Sequence, residues 1–471
     1  MAAVVPENQL IIRHWHTGLD LTALQASNPA RYPFLLASTS EGSNDANRTN
    51  STDRYDLLMA FPQSRLELWP TGLRLDGQAI SAPDFLSALD DQWHQAAEYK
   101  TTSATDLPFS GGWFLYLGYE LAAEIEPTLN LPIDEHSALP IATAVRIPLA
   151  IIHDRYTQTI SLLCETEYAS LLDDLILDIQ NLDPMSGHDD DIHLSMLEED
   201  AGKFLKGVEK VKQYIHEGDV FQVNLSRRWQ AQIDDNLSYQ AIFRQLSKSN
   251  PAPFAGLACF KNAAIISSSP ERLVRVRQNR VETRPIAGTR PRGSNHAHDQ
   301  LNLQELIGHP KERAEHVMLI DLERNDLGRV CQPGSVEVNE LMVLESYAHV
   351  HHIVSNVRGE LRAGCSPAEV IRAVFPGGTI TGCPKVRCME IIAELEQAAR
   401  GAYTGAMGYL NHNGDMDLNI LIRSLVIDRN TMAFRAGAGL VADSIAPHEL
   451  DETRAKAKGL LLSLQQRVLE C

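Results

Sequence analysis

The chain has 471 residues, with 42 Lys and Arg against 61 Asp and Glu, a formal net charge of −19 at pH 7. That sign argues against a general binder of nucleic acid or of anionic membrane, because each phosphate contact would be made against the protein's own field. Hydrophobic residues make up 44% and charged residues 22%, an ordinary globular composition, and the length allows two or three domains of about 150 residues.

The first residues, MAAVVPENQLIIRHWHTG, carry no basic segment followed by an apolar one and no small-residue cleavage site. No apolar run approaches the roughly 20 residues of a membrane span. The expectation is a soluble, cytoplasmic protein. Seven scattered cysteines without a CxxC pair read as reduced structural thiols rather than as a metal site.

Short β-like runs come first, at Phe34 to Ala37, Tyr55 to Phe61 and Ser64 to Trp69, around a polar stretch from Ser38 to Asp53 that reads as a surface loop. Further strand-like segments are predicted at Gly112 to Tyr119 and Ala144 to Asp154. The acidic segment 183–200 marks a linker between an N-terminal region, 1–182, and a C-terminal region, 201–471. Apolar residues at helical spacing, with Gly218 as a stop, predict a helix over Ala201 to Glu217. Asp219 to Trp229 then switches to period two. Strands are expected at Phe254 to Phe260, Ala263 to Ser268, Leu273 to Arg277, Ala348 to Val354, Gly405 to His412, Leu418 to Asp428 and Ala433 to Ala438. Helices are expected at Glu312 to Arg324, Pro367 to Val374, Val386 to Ala399 and Leu450 to Leu469. Strands close in sequence with separated helices favour a large mixed α+β fold over alternating βαβ units.

Five features carry chemistry. The run LNILIRSLVI, Leu418 to Ile427, reads as a strand covered on both faces, yet it holds Arg423. A guanidinium there needs an internal carboxylate or a carboxylate ligand, and the sequence alone weighs the two equally. Phe375 to Lys385 (FPGGTITGCPK) is a Gly- and Thr-rich turn leading into a helix, which would offer backbone N–H groups to an anion. A second Gly-rich turn is read at Ala436 to Gly439. Glu312 and Glu315 share a helix face, and Glu452 lies one turn before Lys456; such glutamates are most often solvated surface, but two that met would suit a hard divalent cation. Glu271 follows an apolar strand, where burial would raise its pKa for general acid work, whereas His352, in register with Val350 and Val354, reads by itself as a core histidine.

These segments together closely resemble the chorismate-utilising enzymes. The motifs are RPIAGTRPRG from Arg284, AEHVMLIDLERNDLGRV from Ala314, FPGGTITGCPKVRCMEII, RGAYTGAMGYL from Arg400, NGDMDLNILIRS and GAGLVADS followed by DETRAKAKGLL, all in the family's order. The resemblance implies two extensive, mainly antiparallel sheets packed as a sandwich with helices outside. It implies Mg²⁺ ligation by Glu315 and Glu452. Tyr403 and Arg423 would hold the enolpyruvyl carboxylate, with Thr379, Gly382, Cys383, Gly439 and Lys456 lining the substrate site, and Lys385 would add positive charge to the cleft. Glu271 would protonate the departing C4 hydroxyl and His352 would lie beside the ring.

Within the family, Gln222 stands where the water-using members carry a lysine base, so ammonia is the expected nucleophile. QVNLSRR, NPAPFAG, HVHHIVS and GGTITGCPK resemble the aminodeoxychorismate synthases (component I), amino-group transferases of 4-aminobenzoate and folate biosynthesis. Ala287 instead matches the anthranilate synthase pattern, and it excludes a covalent route through that position. The expected product is 4-amino-4-deoxychorismate, with anthranilate as the alternative and a non-catalytic relative binding an aromatic acid as the second. No segment resembles a class I glutamine amidotransferase, so a separate glutaminase subunit is the expected partner. RYPFLLASTS resembles the region where family members bind tryptophan, although Ala37 departs from the pattern.

Overall fold

Period-two alternation becomes two large antiparallel sheets in the computed structural model, which describes residues 10–15, 18–39, 54–96, 106–182, 192–234, 237–292, 295–308, 310–346 and 350–464. The first sheet runs Leu10–Trp15, Thr159–Glu165, Leu149–Asp154, Tyr55–Ala60, Phe34–Ala37, Phe254–Cys259, Ala263–Ser269, Ser424–Asp428, Thr431–Leu440, Gln222–Gln232 and Leu197–Glu198, with Gly382–Cys383 paired beside Gln222–Gln232. The second runs Ile286–Pro291, Val350–Glu360, Arg280–Thr283, Arg272–Arg277, Met416–Ile420, Ala406–Asn411, Gly112–Leu117, Ala142–Ile147, Arg65–Trp69, Gly72–Leu75 and Gln78–Ala79, with Glu337–Ser346 paired on Val350–Glu360. Both sheets draw strands from each side of the acidic segment, most of which, 183–191, lies outside the described residues. The polar stretch also falls outside them over 40–53.

The sheets pack face to face, as the resemblance implies. Phe34 of the first stacks on Phe114 of the second with ring centroids 3.7 Å apart, and around them Met59, Ile152, Ile265, Val145 and Met407 form a buried cluster contributed by both. Alternation within one strand shows why the layers form: Ala263 and Ile265 face this inter-sheet core, while Ala264 and Ile266 face the helices outside. Leu24, Leu172, Leu246 and Leu460, from four different helices, cover the first sheet, and Leu89, Ile320 and Val370 cover the second.

Several helices begin and end where local chemistry dictates. Ala201–Glu217 stops at Gly218, whose φ of 87° is open to glycine at little cost. It buries Phe204, Val208 and Val211, each contributing roughly 1.5–3 kcal/mol by leaving water. Pro367–Val374 opens on a capping box in which Ser366 and Glu369 satisfy each other's backbone N–H groups.

Two expected strands are each two strands. Ala144 to Asp154 divides into Ala142–Ile147 and Leu149–Asp154, which lie in different sheets; Pro148 between them has no N–H to continue a ladder. Leu418 to Asp428 likewise divides into Met416–Ile420 of the second sheet and Ser424–Asp428 of the first. The continuous apolar pattern is therefore a crossing between layers, and Arg423 stands in the crossing rather than in a strand. The Ala436 to Gly439 segment is no turn either: it lies within the strand Thr431–Leu440.

Candidate active site

Arg423 is held at the crossing with φ +51°, and its carbonyl accepts from Ser268 N at 3.1 Å. Its guanidinium makes no hydrogen bond and no ion pair among the described residues, and burial depresses its pKa, opposed only by the charge of Glu271. Of the two sequence alternatives the internal ion pair is thus absent among the described residues. A cation held in this way is left with its demand for an anion unmet.

Glu271 is buried, and burial raises its pKa to about 7. The Thr379 hydroxyl and the positive charges of Lys456 and Arg423 act in the opposite sense, and the buried Thr379 hydroxyl has no other partner. A carboxyl poised in this way carries its proton near neutral pH. His352 is also buried; burial first, then the nearby Arg423, lowers its pKa to about 4, while the Gly288 backbone hydrogen-bonds the ring. Its imidazole is neutral at pH 7. Five of the predicted residues, Glu271, His352, Thr379, Arg423 and Lys456, are thereby linked to one place.

The Gln222–Gln232 strand supplies the opposite wall. Gln222 and Asn224 share a face, and their side-chain oxygens are buried without a hydrogen-bond partner. Across the ladder, Asn224 pairs with Gly439 and Ser226 with Gly437. A Cβ at Gly439 would lie 2.5 Å from Gln222 Nε2, and one at Gly437 would lie 2.6 Å from Asn224 Oδ1 and 2.8 Å from Tyr403 Oη. The glycines therefore make the space into which three polar side chains point. Lys456 Nζ donates to the Gly437 carbonyl at 3.0 Å, which brings the last helix to the same spot. At Gly382, φ +132°, a Cβ would lie 2.1 Å from the Gln222 carbonyl oxygen, and Gln222 pairs in register with Cys383.

The carboxylates proposed for a metal are less closely assembled. Glu315 is half-buried on the helix Pro310–Gly328, and Glu452 is exposed on Ala446–Ser463, where it pairs with Lys456 at 2.7 Å. Among the described residues no three His, Cys, Asp or Glu side chains form a metal-ligating group. Two carboxylates are the hard oxygen donors that Mg²⁺ prefers, and this ion commonly takes the rest of its shell from water and an anionic substrate. The residue types therefore fit. Ala287 lies in the strand Ile286–Pro291, and its side chain falls outside the described ones.

Lys385 corrects an expectation. Its Nζ pairs with Asp326 at 2.6 Å, so its charge is already neutralised, and with Cys383 it lines a groove of about 770 Å³ beside Phe221. Two other cavities are distinct from the cleft. One of about 530 Å³ is lined by Leu36 and Ala37 together with Phe254, Met407 and Tyr409; the other, about 600 Å³, touches the cleft through Tyr403.

Two residues escaped the sequence reading. Asn224 was signalled by its spacing of two from Gln222. Glu323 is buried, and burial first, then the negative charge of Asp326, raises its pKa to about 8. It stands on the buried stripe of its helix, with His316, Ile320 and Leu327 at i−7, i−3 and i+4, and a carboxylate on such a stripe was its signal.

Comparison with known proteins adds four findings. The family model described as chorismate binding enzyme matches residues 58–462. The chain is 42% identical over 395 residues to the aminodeoxychorismate synthase component 1 of Bacillus subtilis, covering 80% of this chain and 81% of that one. It is 43% identical over 366 residues to an anthranilate synthase component I-like protein of Synechocystis, covering 76% and 74%. Among solved structures, anthranilate synthase component I from Streptococcus pneumoniae superposes with a TM-score of 0.79 at 31% identity, covering 89% of this chain and 95% of that one.

Proposed function

The chain belongs to the chorismate-binding enzyme family, and from that premise we propose that it is an aminodeoxychorismate synthase component I, making 4-amino-4-deoxychorismate from chorismate and ammonia. The observation that carries its use of ammonia is the pair of buried, unpartnered amide oxygens of Gln222 and Asn224, and the segments QVNLSRR, NPAPFAG, HVHHIVS and GGTITGCPK favour this product over anthranilate. A glutamine cannot take a proton from water, whereas two acceptor oxygens suit a nucleophile that is itself an N–H donor. Ammonia needs no base to become nucleophilic.

In this proposal Arg423 and the Tyr403 hydroxyl hold the enolpyruvyl carboxylate, and backbone groups at Gly382, Cys383 and Gly439 line the substrate. Glu271 gives its proton to the C4 hydroxyl, which departs as water while ammonia adds at C2. A second ammonia then adds at C4 as the first amine leaves. His352, neutral, packs beside the ring. Mg²⁺ held by Glu315 and Glu452 would offset the charge of the ring carboxylate. The ammonia source would be a separate glutaminase subunit and the compartment the cytoplasm. The cavity lined by Leu36 and Ala37 is where tryptophan would sit if this chain binds it.

Anthranilate is the second reading, supported by Ala287 and by the component I names among the relatives. Purified protein with chorismate, Mg²⁺ and a concentrated ammonium salt, its products separated with and without aminodeoxychorismate lyase, decides between them. 4-Aminobenzoate formed only with the lyase supports the proposal; anthranilate with pyruvate supports the second reading; unconsumed chorismate supports a binding protein without turnover.

A further inference from the structure

The ladder face that carries Gln222 and Asn224 continues to Ser226 and Arg228, opposite Gly437 and Arg435. Arg228 lies four residues beyond Asn224, about 13 Å along the strand. There it lines the cavity of about 600 Å³, together with Tyr116, Leu139, Tyr403, Val426 and the exposed Ile133. Arg228 is exposed, so its guanidinium is open to water at the cavity mouth, and it makes neither a hydrogen bond nor an ion pair among the described residues. Partial burial and then the charge of its neighbour Arg435 disfavour its charged form, while the charges of Asp134, Glu199 and Asp428 favour it. The other cations near this cavity are engaged: Arg435 and Arg400 by Glu396, Arg429 by Asp428 and the His136 carbonyl.

We infer that this second cavity is a binding site for a small aromatic carboxylate, with Arg228 receiving the carboxylate and the Tyr116 and Tyr403 rings flanking the aromatic body. The chemistry follows from the lining. One uncommitted guanidinium matches one carboxylate through a two-pronged, charge-assisted hydrogen bond. The wall also carries the carboxylates of Glu120, Asp134 and Asp428, but these already accept hydrogen bonds, Glu120 from the Arg400 and Gly401 backbone, Asp134 from His136 N and Asp428 from Ala138 N and Arg429. The Tyr116, Tyr403, Leu139, Val426 and Phe434 side chains offer apolar surface that a flat ring fills and a compact inorganic anion does not. Tyr403 is shared: it lines this cavity, and its hydroxyl stands beside Gly437 in the cleft. An occupant here therefore bears on the group proposed to hold substrate without entering the substrate's place.

The test uses the full-length protein and binding of benzoate and of 4-aminobenzoate, followed by calorimetry with and without saturating chorismate. The expected result is saturable binding that chorismate does not displace, weakened about tenfold or more in Arg228→Gln and also weakened in Ile133→Glu, which places a negative charge at the mouth. Both variants should keep the wild-type melting temperature and the wild-type affinity for chorismate. No saturable binding, binding that chorismate displaces one for one, or binding untouched by both substitutions would overturn the inference. Because binding is read directly, the result is independent of which product the enzyme releases.

Discussion

One face of the paired strands Gln222–Gln232 and Thr431–Leu440 holds two opposite solutions to a buried polar group, four residues apart. At Ser226, Glu396 accepts from the serine N–H at 2.9 Å and hydroxyl at 2.8 Å, from Arg400 at 2.6 Å and from Arg435 at 2.8 Å. At Gln222 and Asn224 the amide oxygens meet nothing. The carboxylates show the same contrast. Glu396 and Glu271 are both buried, yet the two guanidiniums and the serine overcome burial to lower Glu396 to about 2, while Glu271, with no cation in ion-pair contact, is raised to about 7. Burial alone does not decide a carboxyl's charge; the partners supplied with it do. The saturated cluster is complete without a ligand, and the unsaturated one is not.

The sharpest way to break this contrast is Glu271→Gln. Removing a general acid costs typically 10²–10⁴-fold in turnover, and the isosteric amide should leave KM for chorismate within a few-fold and the melting temperature unchanged. In the wild type, activity should decline as pH rises through about 7, where the carboxyl loses its proton. Steady-state kinetics from pH 5.5 to 9 check both, and an unchanged kcat would remove Glu271 from the chemistry.

Glu396→Gln should act on the other side of the comparison. Breaking a buried ion pair by removing one partner costs about 3–5 kcal/mol, so the variant should unfold at markedly lower denaturant. The pH dependence has the opposite sense to that of Glu271. A folded-state pKa lowered to about 2 gives stability that is present above the unfolded carboxyl's value of about 4.3 and is lost as pH falls toward 2. Denaturation of wild type and variant between pH 3 and 7 should therefore converge at the acid end. A constant difference would mean that Glu396 holds the fold through packing rather than charge.

The strands of both sheets were largely legible because period-two patterning is local. Which sheet a strand joins was not: Ala142–Ile147 and Leu149–Asp154 share one pattern, as do Met416–Ile420 and Ser424–Asp428, and only long-range pairing separates them. For the same reason Arg423 could be singled out as an unusual charge, but the absence of an internal partner could not be foreseen. Lys385 was misread because its partner, Asp326, lies 59 residues away in sequence. Thr379, Arg423 and Lys456 came together through the family motifs and Glu271 through the same resemblance, since nothing in their spacing links them.

The smallest test concerns the space that glycine keeps open. Gly439 has no left-handed φ, and an added Cβ would meet only the Gln222 side chain, at 2.5 Å from Nε2. That atom is the far end of a flexible side chain with no hydrogen bond to hold it, so Gly439→Ala should fold normally while displacing the Gln222 amide. Gly382 is the contrast, since there the obstacle is the Gln222 backbone carbonyl and φ is +132°, and alanine should cost stability. If Gln222 helps to place ammonia, Gly439→Ala raises KM for ammonium roughly three- to tenfold, short of the 100-fold that a 1 Å displacement of reacting groups can cost. KM for chorismate should change less. Equal changes in the two constants would instead mean that the glycine serves the ring's fit, and the amide pair would lose its claim on the nucleophile.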